Sequence, residues 1–367
     1  MKIESIETFA TCPPIRHAGT LGVGTFDRAE SVIVRVRTDT GVEGVGEASM
    51  WAPFTDNLYA ARETIDRYLG PAVVGMSPFD GEAINQTMER VQHGASSAKA
   101  AVDMACLDAA ARALGVPLHT LLGGLVRDRV SLSYSVTNQD IDADLAEIRW
   151  LLEEGFHVLK IKTGVLPEPV EVERITRIRD LVGPAFDLRI DFNQGAPRER
   201  ASVLCHQLEQ FHPTFIEQPV KGWDLAEMAA LTAALRTPVM ADESVMSLQD
   251  GLRVVRERAA DIISIKLMKL AGITQAKKLA GVCEAAGLPC YAGAMWESGI
   301  GIAASLHFAC STPAVRYGSD FYTCSHLLED DLILEPLRIE AGDLVIPEGP
   351  GLGVEVDWDA VERYRVA

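Results

Sequence analysis

One repeating pattern constrains this chain more than any other feature. From about residue 130 to about residue 320, short apolar runs alternate with helical stretches, which is how βα units around a parallel sheet read in sequence. The runs at 131–136, 158–162, 188–191, 214–217, 239–242, 262–266, 289–292 and 315–317 predict eight strands. Helical signals at 169–182, 226–235, 248–258 and 273–286 lie between them. Eight strands separated by helices predict a (β/α) barrel.

The flanks have a different grammar. Residues 31–37 alternate apolar and polar, Asp39-Thr40-Gly41 turns, and 42–47 returns, which reads as a β-hairpin. An Ala- and Leu-rich helix at 98–114 follows, stopped by Gly115 with Pro117 just beyond. Strands first and helices after predict a separate α+β unit. The tail turns again at Glu340-Ala341-Gly342-Asp343 and is expected to return to that N-terminal unit. The boundaries expected are 1–125, 126–330 and 331–367.

Composition removes several function classes. Lys and Arg number 34 against 52 Asp and Glu, a net charge of −18, so phosphate backbones and anionic lipid surfaces are repelled. We expect neither a nucleic-acid nor a membrane partner. The seven cysteines form no C-x-x-C pair and read as buried thiols. The first residues alternate like a strand rather than a signal peptide, so the cytoplasm is the expected compartment. Residues 298–315 carry no formal charge but include Gly299, Gly301, Ser305, His307 and Pro313, as a buried helix does. His307 reads as a core histidine. Gly22-Val23-Gly24 and Gly44-Val45-Gly46 lack the third glycine of a dinucleotide loop, and no nucleophile-elbow, phosphate-loop or H-E-x-x-H motif occurs.

Charged residues sit at the C-terminal ends of successive predicted strands: Lys160, Lys162, Asp191, Glu217, Asp242 and Lys266. From Lys162 the intervals are 29, 26, 25 and 24 residues, about one βα unit each, so all reach the rim where barrel enzymes keep their active sites. Alternation places Lys160 and Lys162 on one face of their strand; a solvated edge is the alternative for that motif alone. Three carboxylates crowded on neighbouring strands repel unless a cation joins them. All-oxygen ligands favour a hard ion, and so few of them favour Mg²⁺ over Ca²⁺, with Mn²⁺ as a substitute. Helix capping is the competing use of such acids. Asn193 is placed to orient a ligand or substrate, Glu243 to hold a lysine by ion pairing, and Glu297 beside a Gly-rich stretch near the ligand.

Lys-x-Lys, Asp-x-Asn, Glu-Gln-Pro, Asp-Glu-Ser and a lysine 24 residues after Asp242, taken in order, resemble the enolase superfamily, specifically its muconate-lactonizing (muconate cycloisomerase) subgroup. Ala100 to Ala105 with Gly115-Val116-Pro117-Leu118 and Leu121-Leu122-Gly123-Gly124 look like that subgroup's junction between cap and barrel, and Gly349-Pro350-Gly351-Leu352-Gly353 like its C-terminal signature. The resemblance implies an α/β fold: a modified TIM barrel, (β/α)7β, with an N-terminal α+β capping domain completed by the C-terminal tail. It implies that Asp191, Glu217 and Asp242 bind one Mg²⁺, and that Lys162 and Lys266 face each other across the substrate as acid and base, assisted by Lys160. It also implies that loops near 17–26 and 49–55 choose the substrate, with Glu297 close to it. A second ammonium, the metal and burial are expected to lower the pKa of such a lysine until it can act as a base.

A proton next to a carboxylate is a weak acid, so its removal needs positive charge where the enediolate forms. The first expectation is thus a muconate cycloisomerase acting on a small dicarboxylate. Met295-Trp296-Glu297-Ser298-Gly299-Ile300-Gly301 departs from the Leu-Glu-Gly-x-Ile-Gly-Thr usual in lactonizing members, and Asp320-Phe321-Tyr322-Thr323 only partly matches their Glu-Leu-Phe-Gly-Pro. An N-acylamino-acid racemase, an o-succinylbenzoate synthase or a dipeptide epimerase is therefore the alternative, although the epimerase's Asp-x-Asp is absent. An inactive barrel serving as a binding module is the remote one. We expect a homo-oligomer, from dimer to octamer.

Overall fold

Close backbone approach builds the N-terminal unit. Three antiparallel strands, Ile3–Thr11, Glu30–Thr38 and Glu43–Met50, pair in that order, and the helix Ser96–Leu114 packs across them. That helix is rich in alanine along its buried face. Gly44 and Gly46 meet it directly: a Cβ would lie 2.2 Å from the Ala105 carbonyl oxygen and 2.1 Å from that of Ala101. The Gly-Val-Gly of this strand is thus a packing device. The computed structural model describes residues 1–16, 18–22, 24–138, 140–321 and 324–366, apart from the side chains of Cys324 and Ser325.

The barrel has eight parallel strands: Tyr134–Val136, Val158–Lys162, Asp187–Asp191, Ile216–Glu217, Val239–Ala241, Ile262–Ile265, Cys290–Ala292 and Val315–Ser319. Seven helices, from Ile141–Glu153 to Gly299–Cys310, connect them, so the fold is the expected (β/α)7β barrel with its antiparallel cap. Leu132 bridges Ser319, and the Ser133 N–H donates to the Ser319 carbonyl at 2.6 Å, drawing the last strand to the first.

Two expectations need correction. The run at 131–136 is not one strand: Arg129–Ser131 turns away to pair antiparallel with Asp343–Val345, and only Tyr134–Val136 enters the barrel. The tail hairpin, Ile339–Glu340 with Asp343–Val345, consequently adds to the barrel entrance rather than to the N-terminal unit. Later parts of the tail do return there: Gly351 bridges Pro117, and the Leu352 N–H donates to Asp108 Oδ1 at 2.8 Å. Thr11 bridges Arg365, the Val366 N–H reaches the Ala10 carbonyl at 2.9 Å, and Trp358 packs on Phe9. Among the described residues no helix is long and apolar enough to cross a membrane; Gly299–Cys310 is a wholly buried helix, as expected.

His307, on that helix, is a satisfied core histidine. Its Nδ1 accepts the His119 backbone N–H at 3.2 Å, which leaves Nε2 to donate to the Leu352 carbonyl at 3.1 Å. Burial, aided by the neighbouring His119, pushes its pKa down to about 4. Because the folded value lies below the ordinary one, its contribution is full above about pH 6.5 and is lost as pH falls toward about 4. We predict that His307→Gln, which removes the titrating group, flattens the stability profile over that window, by about 2 kcal/mol at pH ~4.5. Urea unfolding of both proteins across the range checks this, and parallel profiles would refute it.

Candidate active site

The register of the sheet sets the site. Lys162 pairs with Asp191 and Asp191 with Glu217 across three adjacent strands, so their side chains emerge at one level of the rim. Asp242, Lys266 and Asp320 each follow directly on the next strand end of their own. Every residue predicted for the site is buried: Lys160, Lys162, Asp191, Asn193, Glu217, Asp242, Glu243, Lys266 and Glu297.

Lys160 donates to Glu217 Oε2 at 2.9 Å and Asp320 Oδ2 at 2.5 Å; Lys162 donates to Asp191 Oδ2 at 2.5 Å and Asn193 Oδ1 at 3.0 Å. Lys266 Nζ lies 2.9 Å from Asp242 Oδ2 and 4.6 Å from the centre of the Phe54 ring. Asn193, in the left-handed region at φ 41°, is held by its own N–H on Asp191 Oδ1 at 2.8 Å. It therefore orients Lys162, whereas the sequence suggested that it orients a ligand or substrate. Glu243 does not pair with a lysine as expected; it accepts from Asn193 Nδ2 at 3.3 Å and so anchors the residue that orients one.

Electrostatics separate these acids. Burial and the charge of Asp191 push the Glu217 carboxyl up to about 8 despite Lys160. Burial and Asp242 take Glu243 up to about 7. Burial works the same way on Asp242, but the adjoining Lys266 and Lys269 overcome it and hold its carboxyl far below the usual range. Burial lowers Lys266, yet Asp242, Asp320 and Glu217 outweigh it and leave the ammonium more strongly held than in water.

Among the described residues no three His, Cys, Asp or Glu side chains are arranged to hold a metal ion; Asp191, Glu217 and Asp242 are turned onto lysines instead. Their donor set still fits a hard divalent cation. Three carboxylates end adjacent strands, burial and the charge of Asp191 drive Glu217 toward protonation, and the buried Asp242 Oδ2 meets only the Lys266 ammonium among the described residues.

Four participants escaped the sequence reading. Asp320 ends the eighth strand and was legible from the strand-end series that exposed the others. Lys269 follows Lys266 by one turn, its N–H on the Lys266 carbonyl at 3.1 Å. Gln218 fixes the next strand end by accepting from the Asp242 and Ser244 N–H groups at 2.9 and 3.0 Å. Glu47 comes from the cap, and nothing near it in sequence announces its partners. Wholly buried, it accepts from Ser31 Oγ at 2.6 Å, Ser298 Oγ at 2.7 Å and the Gly301 N–H at 2.9 Å, capping the barrel's last connecting helix.

Between cap and rim lies a small cavity of about 30 Å³, where Leu21, Trp51, Phe54 and Trp296 face Lys162, Asn193, Lys266 and Asp320. Trp296 stacks on Phe26 at 4.1 Å and meets Trp51 edge-on at 6.2 Å. Leu21, Trp51 and Phe54 belong to the loops expected to choose a substrate; His17, Val23, Tyr322 and Thr323 lie outside the described residues. Glu297 stands behind this lining rather than on it. It accepts the Met295 N–H at 2.6 Å, and burial together with Glu47 pushes it up to about 8.

Comparison with known proteins agrees with this architecture. Residues 143–360 match the enolase C-terminal domain-like family, and residues 5–123 match the mandelate racemase / muconate lactonizing enzyme N-terminal domain. Muconate cycloisomerase 1 of Rhodococcus opacus is 34% identical over 99% of this chain and 98% of its own length. The L-Ala-D/L-Glu epimerase of Bacillus subtilis is 37% identical over 96% and 97%. A dipeptide epimerase from Enterococcus faecalis, solved with Mg and the dipeptide L-Leu-L-Tyr, superposes with a TM-score of 0.92 at 33% identity, covering 97% of this chain and 100% of that one. The chain belongs to the mandelate racemase/muconate lactonizing enzyme family of the enolase superfamily and is an enzyme of isomerase type.

Glu47→Ala leaves the Ser298 and Gly301 N–H groups buried without an acceptor, and we predict a loss of about 3 kcal/mol of folding stability. Urea unfolding measures it. A variant as stable as the wild type would show that the cap contact contributes nothing.

Proposed function

We propose that this member of the family moves a proton at the carbon next to a carboxylate of a small substrate, and that its reaction is the cycloisomerisation of muconate or a related dicarboxylate. The observation that carries the reading is the placement of Lys162 and Lys266 on the second and sixth of eight strands, opposite one another, with both facing the one cavity under the cap. A planar substrate between them presents one face to each ammonium. Asp191, Glu217 and Asp242 are the residues that would hold Mg²⁺, which supplies positive charge where the substrate's carboxylate gathers negative charge.

The chain's own groups do the rest. In the lactonizing direction a distal carboxylate oxygen adds to the conjugated diene, and the electron pair moves to the other carboxylate as an enediolate. A lysine ammonium then delivers a proton to the α-carbon, and the reverse reaction returns it to the amine. Lys160, pinned between Glu217 and Asp320, places positive charge beneath that carboxylate. Asn193 fixes the direction from which Lys162 approaches. Trp51, Phe54 and Trp296 exclude water, which strengthens each charge interaction inside.

A second reading is favoured by the epimerase relative, identical at 37% of positions over 96% of the chain: removal of the α-proton of an N-acylated amino acid or dipeptide by one lysine and its return from the other. Turnover in D₂O separates the two. A cycloisomerase places deuterium in the lactone, whereas an epimerase washes it into recovered substrate.

Two outcomes are expected for either reading. Lys162→Ala and Lys266→Ala fold as the wild type does but lose activity by about three orders of magnitude, because each removes the ammonium that carries the proton on its side of the substrate; near-normal turnover in either would defeat the assignment. Dialysis against EDTA abolishes activity, and Mg²⁺ or Mn²⁺ restores it; turnover that resists chelation would argue against the metal.

A further inference from the structure

Lys269 differs from the other lysines of the rim. Its side chain is wholly buried, and its three N–H donors are matched by three acceptors: Asp242 Oδ1 at 2.6 Å, the Asp242 carbonyl at 2.7 Å and the Ser264 carbonyl at 3.0 Å. An ammonium so saturated has no proton left to offer toward the cavity, and it does not line that cavity. Lys266, three residues earlier, lines the cavity and meets the other carboxylate oxygen, Oδ2. Asp242 is therefore gripped on one side, its backbone fixed by Gln218 and its Oδ1 by Lys269, which leaves Oδ2 to Lys266, the lysine that lines the cavity.

We propose that Lys269 is a positioning residue that restricts Asp242 to one donor oxygen and thereby sets the site's preference for Mg²⁺ over Ca²⁺. The proposal rests on the reading of Asp242 as a metal ligand. A carboxylate whose second oxygen is tied to an ammonium cannot chelate an ion through both. Mg²⁺ demands compact octahedral coordination, whereas Ca²⁺ gathers six to eight oxygens and takes carboxylates in bidentate fashion. With Oδ1 released, Asp242 becomes able to supply two oxygens, which suits the larger ion.

Replacing Lys269 also removes a positive charge, and that change favours both dications alike. The ratio of the two affinities therefore reports geometry alone. Mg²⁺ and Ca²⁺ affinities of the full chain, measured by displacement of Mn²⁺ followed by electron paramagnetic resonance, give that ratio for the wild type, Lys269→Met, Lys269→Gln and Asp242→Ala. Lys269→Met is expected to shift it toward Ca²⁺ by about tenfold or more, with Lys269→Gln, which keeps two donors, carrying the comparison if the methionine variant does not fold. Both affinities moving by one factor, with the ratio within about twofold of the wild type, overturns the proposal while leaving the metal site in place. Wild-type Mn²⁺ binding by Asp242→Ala overturns instead the reading of Asp242 as a ligand, on which the proposal stands.

Discussion

Charge compensation out of water is the constraint on which this molecule's rim depends. Lys160, Lys162, Lys266 and Lys269 share a buried layer with Asp191, Glu217, Asp242, Glu243 and Asp320, and none of these groups is tolerable there alone. Which partner a group finds decides its state. Glu217 and Asp242 occupy equivalent strand ends, yet one is forced toward its neutral form and the other deeply ionised. Asp242 touches two lysines; Glu217 shares one lysine with Asp320 and faces Asp191. A barrel built this way keeps its charges because strand register prevents them from separating.

Much of this was legible in the sequence, for a mechanical reason. One βα unit takes about 25 residues, so charges recurring at that interval must return to the same rim. Alternation along 158–162 placed both lysines inward correctly. Legibility stopped where partners come from elsewhere in the chain. Glu243 was read as a lysine's partner because both kinds of charge lay near, whereas its actual partner, Asn193, is 50 residues away. The run at 131–136 looks uniform, and only the distant 343–345 strand, competing for its first half, reveals the break. Glu47 reads as an ordinary residue of a hairpin because its function is to cap a helix 251 residues later.

The glycines of the cap were informative in a way their motif was not. Gly44-Val45-Gly46 has the look of a broken nucleotide loop, but two missing side chains let a strand settle against an alanine-faced helix. Gly22 repeats the device at the rim, where a Cβ would lie 2.3 Å from the Phe192 carbonyl oxygen. The hairpin carrying Leu21 thereby rests on the loop that follows the third barrel strand, one residue from Asn193. Substrate-facing loops and proton-carrying strands are so brought to a fixed separation by main chain on main chain, the least compressible contact available.

Glu47 has a bearing on how selectivity is transplanted between relatives. Grafting a foreign cap onto this barrel is an obvious route to new substrates, since the cap supplies Leu21, Trp51 and Phe54. The graft also severs a carboxylate from the serine hydroxyl and amides it serves. Donor and recipient must then agree at positions remote from any bound molecule, or the hybrid inherits the desired lining on an unmoored wall.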